Sequence, residues 1–226
     1  MKKNLPIGYS SLEKIQADNC VYIDKTHHIS TLTQEGAYYF LSRPHRFGKS
    51  LFIDTLKQAF LANEFLFKGL YLEKNWDWSK KYPLIHFDFG GGVIQTLDDL
   101  EQKIHAILDT HFQSYEVSSP YLDVSNRFSD LMTKLHQKTQ TRVVVLIDEY
   151  DKPILDNMDD TQMAIIIREG LKNLYSVMKA HDADLKFVFL TGVSKFNKVS
   201  LFSGLNNLED ISLTAQYADI CGYTQA

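Results

Sequence analysis

One short segment, residues 43–50, combines basic side chains with glycine, lysine and serine in a spacing that suits phosphate binding. Its sequence is Arg-Pro-His-Arg-Phe-Gly-Lys-Ser, and its second half matches the end of the Walker A pattern. In that pattern backbone N–H groups surround phosphates at a helix N-terminus, the lysine (Lys49) reaches the β and γ phosphates, and the hydroxyl (Ser50) binds Mg²⁺. Arg43 stands where the general pattern has its first glycine.

The remaining side chains of this segment also suit a polyanion. Pro44 fixes φ inside the loop, and Arg43, His45 and Arg46 add positive or polar groups. On its own, Gly-Lys-Ser after a strand is equally compatible with an ordinary helix start capped by Ser50. If the segment does bind a nucleotide, the predicted contact residues are Arg43, Pro44, His45, Arg46, Phe47, Gly48, Lys49, Ser50 and Leu51.

A second candidate cluster is acidic and follows the apolar run 143–147. Asp148 would lie at the carboxyl end of a buried strand and hold hydrated Mg²⁺, as a Walker B acid does. Glu149 would orient or deprotonate an attacking water. An isolated acidic pair is more often a solvated turn, but two matching motifs, each preceded by an apolar strand, favour nucleotide binding.

A polar residue near the end of a later strand could sense the γ phosphate or the attacking water. Thr191 is our candidate catalytic residue for this role, beside Glu149 and Lys49. Ser194 competes with it, and an ordinary turn at Gly192 is an equally simple explanation of the pattern.

The elements that must hold these residues alternate between strand and helix. Apolar runs predict strands at 38–41, 84–89, 143–147 and 187–190, and helical spacing predicts helices at 49–61, from residue 97, around 128–135, and at 161–179. Such alternation indicates right-handed βαβ crossovers and a parallel sheet, which is an α/β fold.

Composition limits the other classes of function. The chain has 226 residues, 44% of them hydrophobic, and a net charge of -4, so we expect one large domain without overall attraction to nucleic acid. It has no apolar run near the ~20 residues of a membrane span, and its two cysteines suggest neither disulfides nor zinc. We therefore expect a cytoplasmic protein that does not contact membranes.

The adjacent His27 and His28 should point to different sides of their element, so we predict no metal site beyond Mg²⁺.

Both motifs together resemble those of the AAA-ATPase-like proteins, whose P-loop is Arg-Pro-Arg-Arg-Phe-Gly-Lys-Ser. The resemblance extends to the N-terminal stretches 5–8 and 22–26 and to the late stretches 190–196 and 202–207, so it covers nearly the whole chain. In that family arginine at the position of Arg43 is normal, whereas His45 replaces the usual arginine.

This resemblance implies a P-loop NTPase of the AAA or additional-strand type, with a parallel sheet of about five strands flanked by helices. The sensor strand would lie between the Walker A and Walker B strands, and Thr191 would face the nucleotide. Residues 1–36 would be an N-terminal family segment packed on a core of residues 37–226, which we expect to be truncated at its C-terminal end. Family members often continue into a PD-(D/E)XK nuclease-like domain.

The sequence thus supports two hypotheses of different kinds. The first is Mg²⁺-dependent ATP binding and hydrolysis, and the second is an ATP-gated switch or scaffold with little hydrolysis. A P-loop kinase is disfavoured, because Asp148 and Glu149 offer an acid that activates water. The expected partners are ATP and either a second copy of the chain or another protein, with nucleic acid involved only through a missing domain.

Overall fold

The computed structural model describes residues 3–194, 201–202, 205 and 207–222. Parts of the late family stretches, at 195–196, 203–204 and 206, lie outside the described residues, as do residues 223–226. Within the described residues, no helix combines the length and the apolar character needed to cross a membrane.

A five-stranded parallel sheet forms the centre of the molecule. Its strands are β1 (Tyr38–Ser42), β2 (Leu84–Asp88), β3 (Val143–Asp148), β4 (Leu185–Gly192) and β5 (Glu209–Asp210), in the order β2-β3-β4-β1-β5. The predicted α/β class and the parallel sheet are therefore confirmed. The strand that ends at Thr191 and Gly192 lies between β1 and β3, as the family resemblance implied.

Seven α-helices are described around this sheet. They are α1 (Leu12–Ala17), α2 (His27–Glu35), α3 (Lys49–Phe60), α4 (Leu97–Ser114), α5 (Val124–Thr139), α6 (Lys152–Leu155) and α7 (Thr161–Val177). The three long helices α4, α5 and α7 begin at side-chain caps from Thr96, Asp123 and Asp160, each of which accepts a backbone N–H of the first turn. The predicted starts near residue 97 and at residue 161 agree with α4 and α7, whereas α5 begins at Val124, before the predicted stretch 128–135.

Two apolar layers cover the sheet, one on each face. Helices α4, α5 and α7 pack with Phe87 and Val145 on one face, and α3 packs with Leu146 and Phe189 on the other. Each fully buried apolar side chain contributes about 1.5–3 kcal/mol relative to an exposed one. Because β3 is buried along its whole length, its carboxyl end has a fixed place between the two layers.

The structure differs from the predicted elements mainly in where helices and strands end and in short elements that were not predicted. Strand β4 is longer than the predicted 187–190, and α7 ends at Val177 before a 3-10 turn, Met178–His181. Strand β5 was not predicted, because it consists only of Glu209 and Asp210 and has no apolar pattern. Helices α1 and α2 were also not predicted.

Candidate nucleotide-binding site

The P-loop, residues 43–50, connects the carboxyl end of β1 to the N-terminus of α3. It turns through left-handed conformations at Arg46 (φ 63°) and Gly48 (φ 87°), of which the second is readily adopted only by glycine. Among the described residues, the backbone N–H groups of residues 45–51 have no hydrogen-bond acceptor. Unpaired N–H groups at a helix start form an anion-binding site, so the loop fits a phosphate chain.

Lys49 lies inside this loop and is only 5% exposed. Its Nζ donates hydrogen bonds to the carbonyl oxygens of Arg43 and Pro44, each at 3.0 Å. The ammonium is thus held among neutral acceptors at the place where the loop curls. If anionic phosphate oxygens took the place of these two carbonyl oxygens, the hydrogen bonds of the ammonium would be stronger, because both partners would be charged.

The Arg43 side chain makes contacts of a different kind. Its guanidinium donates to the carbonyl oxygens of Ser42, Ser212 and Tyr217. The last two belong to the post-β5 segment, residues 211–222. Arg43 therefore ties the P-loop to this segment, whereas His45 and Arg46 are exposed on the loop.

The P-loop phenylalanine also meets the post-β5 segment. Phe47 is 41% exposed, and its ring lies so close to Gly222 that a Cβ there would come within 2.8 Å of it. Gly222 has φ 84°, so glycine suits this position both for its backbone and for the lack of a side chain.

The acidic cluster lies at the carboxyl end of β3. Asp148 is 4% exposed, and its Oδ1 accepts hydrogen bonds from the backbone N of Glu149, at 3.0 Å, and from the hydroxyl of Thr191. Thr191 reaches it because β4 runs beside β3. The structure thus brings three of the predicted site residues together in direct contact.

The carboxyl of Glu149 is half-buried beside other charged groups. Burial raises the pKa of its carboxyl above the usual value, and the neighbouring charge of Asp148 raises it further, while His45 and Lys49 oppose the shift. The backbone of Glu149 is left-handed, with φ 53°, which is uncommon for a residue other than glycine.

The sequence analysis missed Asp88 as a member of this site. It ends β2 directly opposite Asp148 in the register of the sheet and also raises the pKa of Glu149. Asp88 Oδ1 accepts the backbone N–H of Gly90 at 2.8 Å, and a Cβ on Gly90 would lie 3.1 Å from Glu149 Oε2. The glycine triplet after β2 was the available signal, since it marks a close approach.

The structure gives different contacts to the two sensor candidates. Ser194 donates to Asp151 through its hydroxyl and its backbone N, the latter at 2.6 Å. Asp151 also accepts the backbone N of Val193, at 3.0 Å. Thr191 instead contacts Asp148, so only this candidate touches the predicted Mg²⁺ ligand directly.

The residues present fit a hydrated Mg²⁺ ion. Ser50 lies in the first turn of α3, and α3 packs against β3, the strand that ends in Asp148. Hydroxyl and carboxylate oxygens are the ligand types that Mg²⁺ prefers, with water and phosphate oxygens completing the octahedron.

One prediction about histidines is wrong. His27 and His28 do not point to different sides of α2, since their ring centroids are 4.0 Å apart. They are the first two residues of the helix, where no preceding turn restricts the side chains, so both rings can rotate toward each other.

A comparison with protein families now agrees with this geometry. The model of the AAA-ATPase-like family, described as predicted AAA-ATPase, matches residues 6–202. The chain belongs to the AAA-ATPase-like family. This membership and the parallel sheet together identify the fold as that of a P-loop NTPase.

A relative of this AAA-ATPase-like protein comes from Azotobacter chroococcum mcd 1 and is described as an uncharacterized protein in the vnfD 5′ region. It is 50% identical over 225 residues, which cover 99% of this chain but 44% of the relative. This chain therefore spans less than half the length of that relative.

Two solved structures with loose similarity are the Drosophila ORC complexes with Cdc6 and either poly(dA/dT) or GC-rich DNA. Their matched chains are 13% and 12% identical, with TM-scores of 0.38 and 0.39. The matches cover 92% and 94% of this chain and 30% of each matched chain. The fold assignment depends on the family match and the sheet.

Proposed function

We propose that this protein binds ATP together with Mg²⁺ at the P-loop and hydrolyses it. The observation that carries the proposal is the row of N–H groups at residues 45–51 that have no acceptor within the described part of the chain, around the buried ammonium of Lys49. An anion site of this kind suits a triphosphate, because successive phosphates can each find donors along the loop.

The proposal gives a role first to the lysine of the loop and to the predicted metal ligands. The Lys49 ammonium leaves the carbonyl oxygens of Arg43 and Pro44 and binds the β and γ phosphates. Ser50 and Asp148 would hold a metal ion, which when bound would neutralise the charge that develops on the phosphate oxygens.

Glu149 acts as the base for the attacking water. Its raised pKa increases the affinity of the carboxylate for a proton, which suits a group that accepts one from water. Thr191 donates to Asp148 Oδ1 and thereby fixes the carboxylate orientation next to Glu149. A base, an anion cradle and a metal-binding carboxylate at one sheet edge together support hydrolysis.

The alternative function is an ATP-gated switch with little hydrolysis. It is favoured by the contacts of Arg43 with Ser212 and Tyr217 and of Phe47 with Gly222. Any movement of the P-loop on binding ATP would displace the post-β5 segment through these two residues. Such a displacement is how a nucleotide site signals to a neighbouring domain or protein.

Single-turnover hydrolysis separates the two functions. If Glu149 is the base, the variant Glu149→Gln should bind Mg-ATP as the wild type does but release phosphate at least about 100-fold more slowly. Equal and slow phosphate release by both proteins, with binding intact, would establish the switch. If the wild type fails to bind Mg-ATP at all, both functions are refuted.

A further inference from the structure

Three side chains outside the P-loop meet at a point that the proposed function does not use. His27 and His28 begin α2, and Asp219 follows the 3-10 turn Ala215–Tyr217 of the post-β5 segment. His28 Nε2 lies 2.9 Å from Asp219 Oδ1, and one nitrogen or oxygen of each of the three residues lies within 4.8 Å of the others. Two imidazoles and a carboxylate thus converge from distant parts of the chain.

These separations suit a shared metal ion. Nitrogen and oxygen ligands lie about 2.0–2.2 Å from a tetrahedral zinc ion, so their mutual distances are about 3.3–3.6 Å. The distance from His28 Nε2 to Asp219 Oδ1 is 2.9 Å, which is slightly shorter than the distance between two zinc ligands. The upper limit on the distances among the ligand atoms of all three residues, 4.8 Å, is longer than it. His27 is less buried than His28, so a rotation of its side chain is the movement that would close the set.

Two of the three ligands are already held in place. His28 is 3% exposed and packs beside the ring of Tyr217, with centroids 5.8 Å apart. Lys25 Nζ donates to the backbone oxygens of Asp219 and Gly222, at 2.5 and 2.7 Å. The main chain on either side of the carboxylate is therefore anchored, and a site with fixed ligands costs little entropy to fill.

A second histidine and aspartate cluster shows the contrasting case. Asp184 gives one carboxylate oxygen to His136 at 2.7 Å and the other to His181 at 2.8 Å. The remaining ring nitrogen of His181 bonds to Ser129 at 2.7 Å. This cluster is a closed hydrogen-bond network, whereas in the cluster at His27 only His28 and Asp219 are joined by a hydrogen bond at 2.9 Å, and His27 meets them through its ring contact with His28.

We propose that His27, His28 and Asp219 form a binding site for a divalent transition metal of the zinc class, with solvent completing its coordination. Mg²⁺ is a poor occupant because it prefers oxygen ligands in an octahedron, whereas imidazole nitrogens suit zinc, cobalt and nickel. The metal would link the start of α2 to the post-β5 segment, which itself contacts the P-loop through Phe47.

The test is titration of the metal-free, untagged chain with Zn²⁺ and Co²⁺ by calorimetry. We expect one saturable equivalent that excess Mg²⁺ does not displace. His27→Ala and Asp219→Asn should each weaken Zn²⁺ binding at least about tenfold, because each removes a ligand atom. The matched control is His105→Ala, which removes a histidine on α4 and should leave the affinity unchanged.

Thermal unfolding provides a second measurement. Saturating Zn²⁺ should raise the Tm of the wild type and of His105→Ala, because the ion binds the folded chain, and should not raise that of His27→Ala. Since His27 is not among the buried residues, its variant should fold, with an unchanged circular dichroism spectrum. Wild-type affinity in His27→Ala, or several weak equivalents in every variant, would overturn the proposal.

Discussion

The contact between Thr191 and Asp148 allows a quantitative test of the site. Thr191 is fully buried, and its hydroxyl donates to the carboxylate of Asp148, which is 4% exposed. Thr191→Val keeps the shape of the side chain and removes the donor. Asp148 Oδ1 then retains one hydrogen bond, from the backbone N of Glu149.

The expected cost follows from the burial of both partners. A hydrogen bond to a charged group contributes about 1.5–3 kcal/mol, so Thr191→Val should lower the free energy of unfolding by about this amount. For a protein of this size, that corresponds to a fall in Tm of about 3–12 °C. Thr191→Ser keeps the hydroxyl and loses one methyl group, which should cost only about 0.5–1.5 kcal/mol.

Urea denaturation of a double-mutant cycle measures this contact. In the background Asp148→Asn the acceptor is neutral, so Thr191→Val should cost less, about 0.5–1.5 kcal/mol. The difference between the two backgrounds is the coupling energy of the pair. The reasoning is refuted if Thr191→Val is no less stable than Thr191→Ser, or if the two substitutions are additive.

Two further predictions concern the surroundings of this pair. A Cβ on Gly192 would lie 2.6 Å from Asp151 Oδ1 in a fully buried place, so Gly192→Ala should destabilise the protein by about 1–3 kcal/mol in urea. In the control Gly91→Ala, the new Cβ meets no atom closer than 3.6 Å. If both variants lose the same free energy of unfolding, the steric explanation is contradicted. Asp88 raises the pKa of Glu149, so Asp88→Asn should lower that pKa and move the acid limb of the single-turnover rate to lower pH. An unchanged limb would show that Glu149 is not the group that titrates.

Sequence reasoning succeeded where the informative residues are contiguous. The P-loop follows β1 directly, and Asp148 is the last residue of an apolar strand, so local pattern and secondary structure indicate both motifs. Strands β1 to β4 were found for the same reason. The place of β4 between β1 and β3 came from the family resemblance, because the mostly apolar strand sequences do not distinguish neighbours.

The features that were missed depend on residues far apart in the chain. Arg43 contacts Ser212, and His28 contacts Asp219 across 191 positions. No spacing rule connects such pairs, because the fold alone brings them together. Asp88 was missed for a related reason, since its relevance depends on the register of β2 with β3.

The central claim, that residues 43–50 bind the phosphates of ATP, is tested most directly by titrating a fluorescent ATP analogue with Mg²⁺ against Lys49→Ala. Loss of the buried ammonium should weaken binding at least about tenfold, the value of one charge-assisted hydrogen bond. The control Lys68→Ala removes an exposed lysine outside the loop and should bind as the wild type does. Equal affinity of Lys49→Ala and the wild type would contradict the assignment of this loop as the nucleotide site.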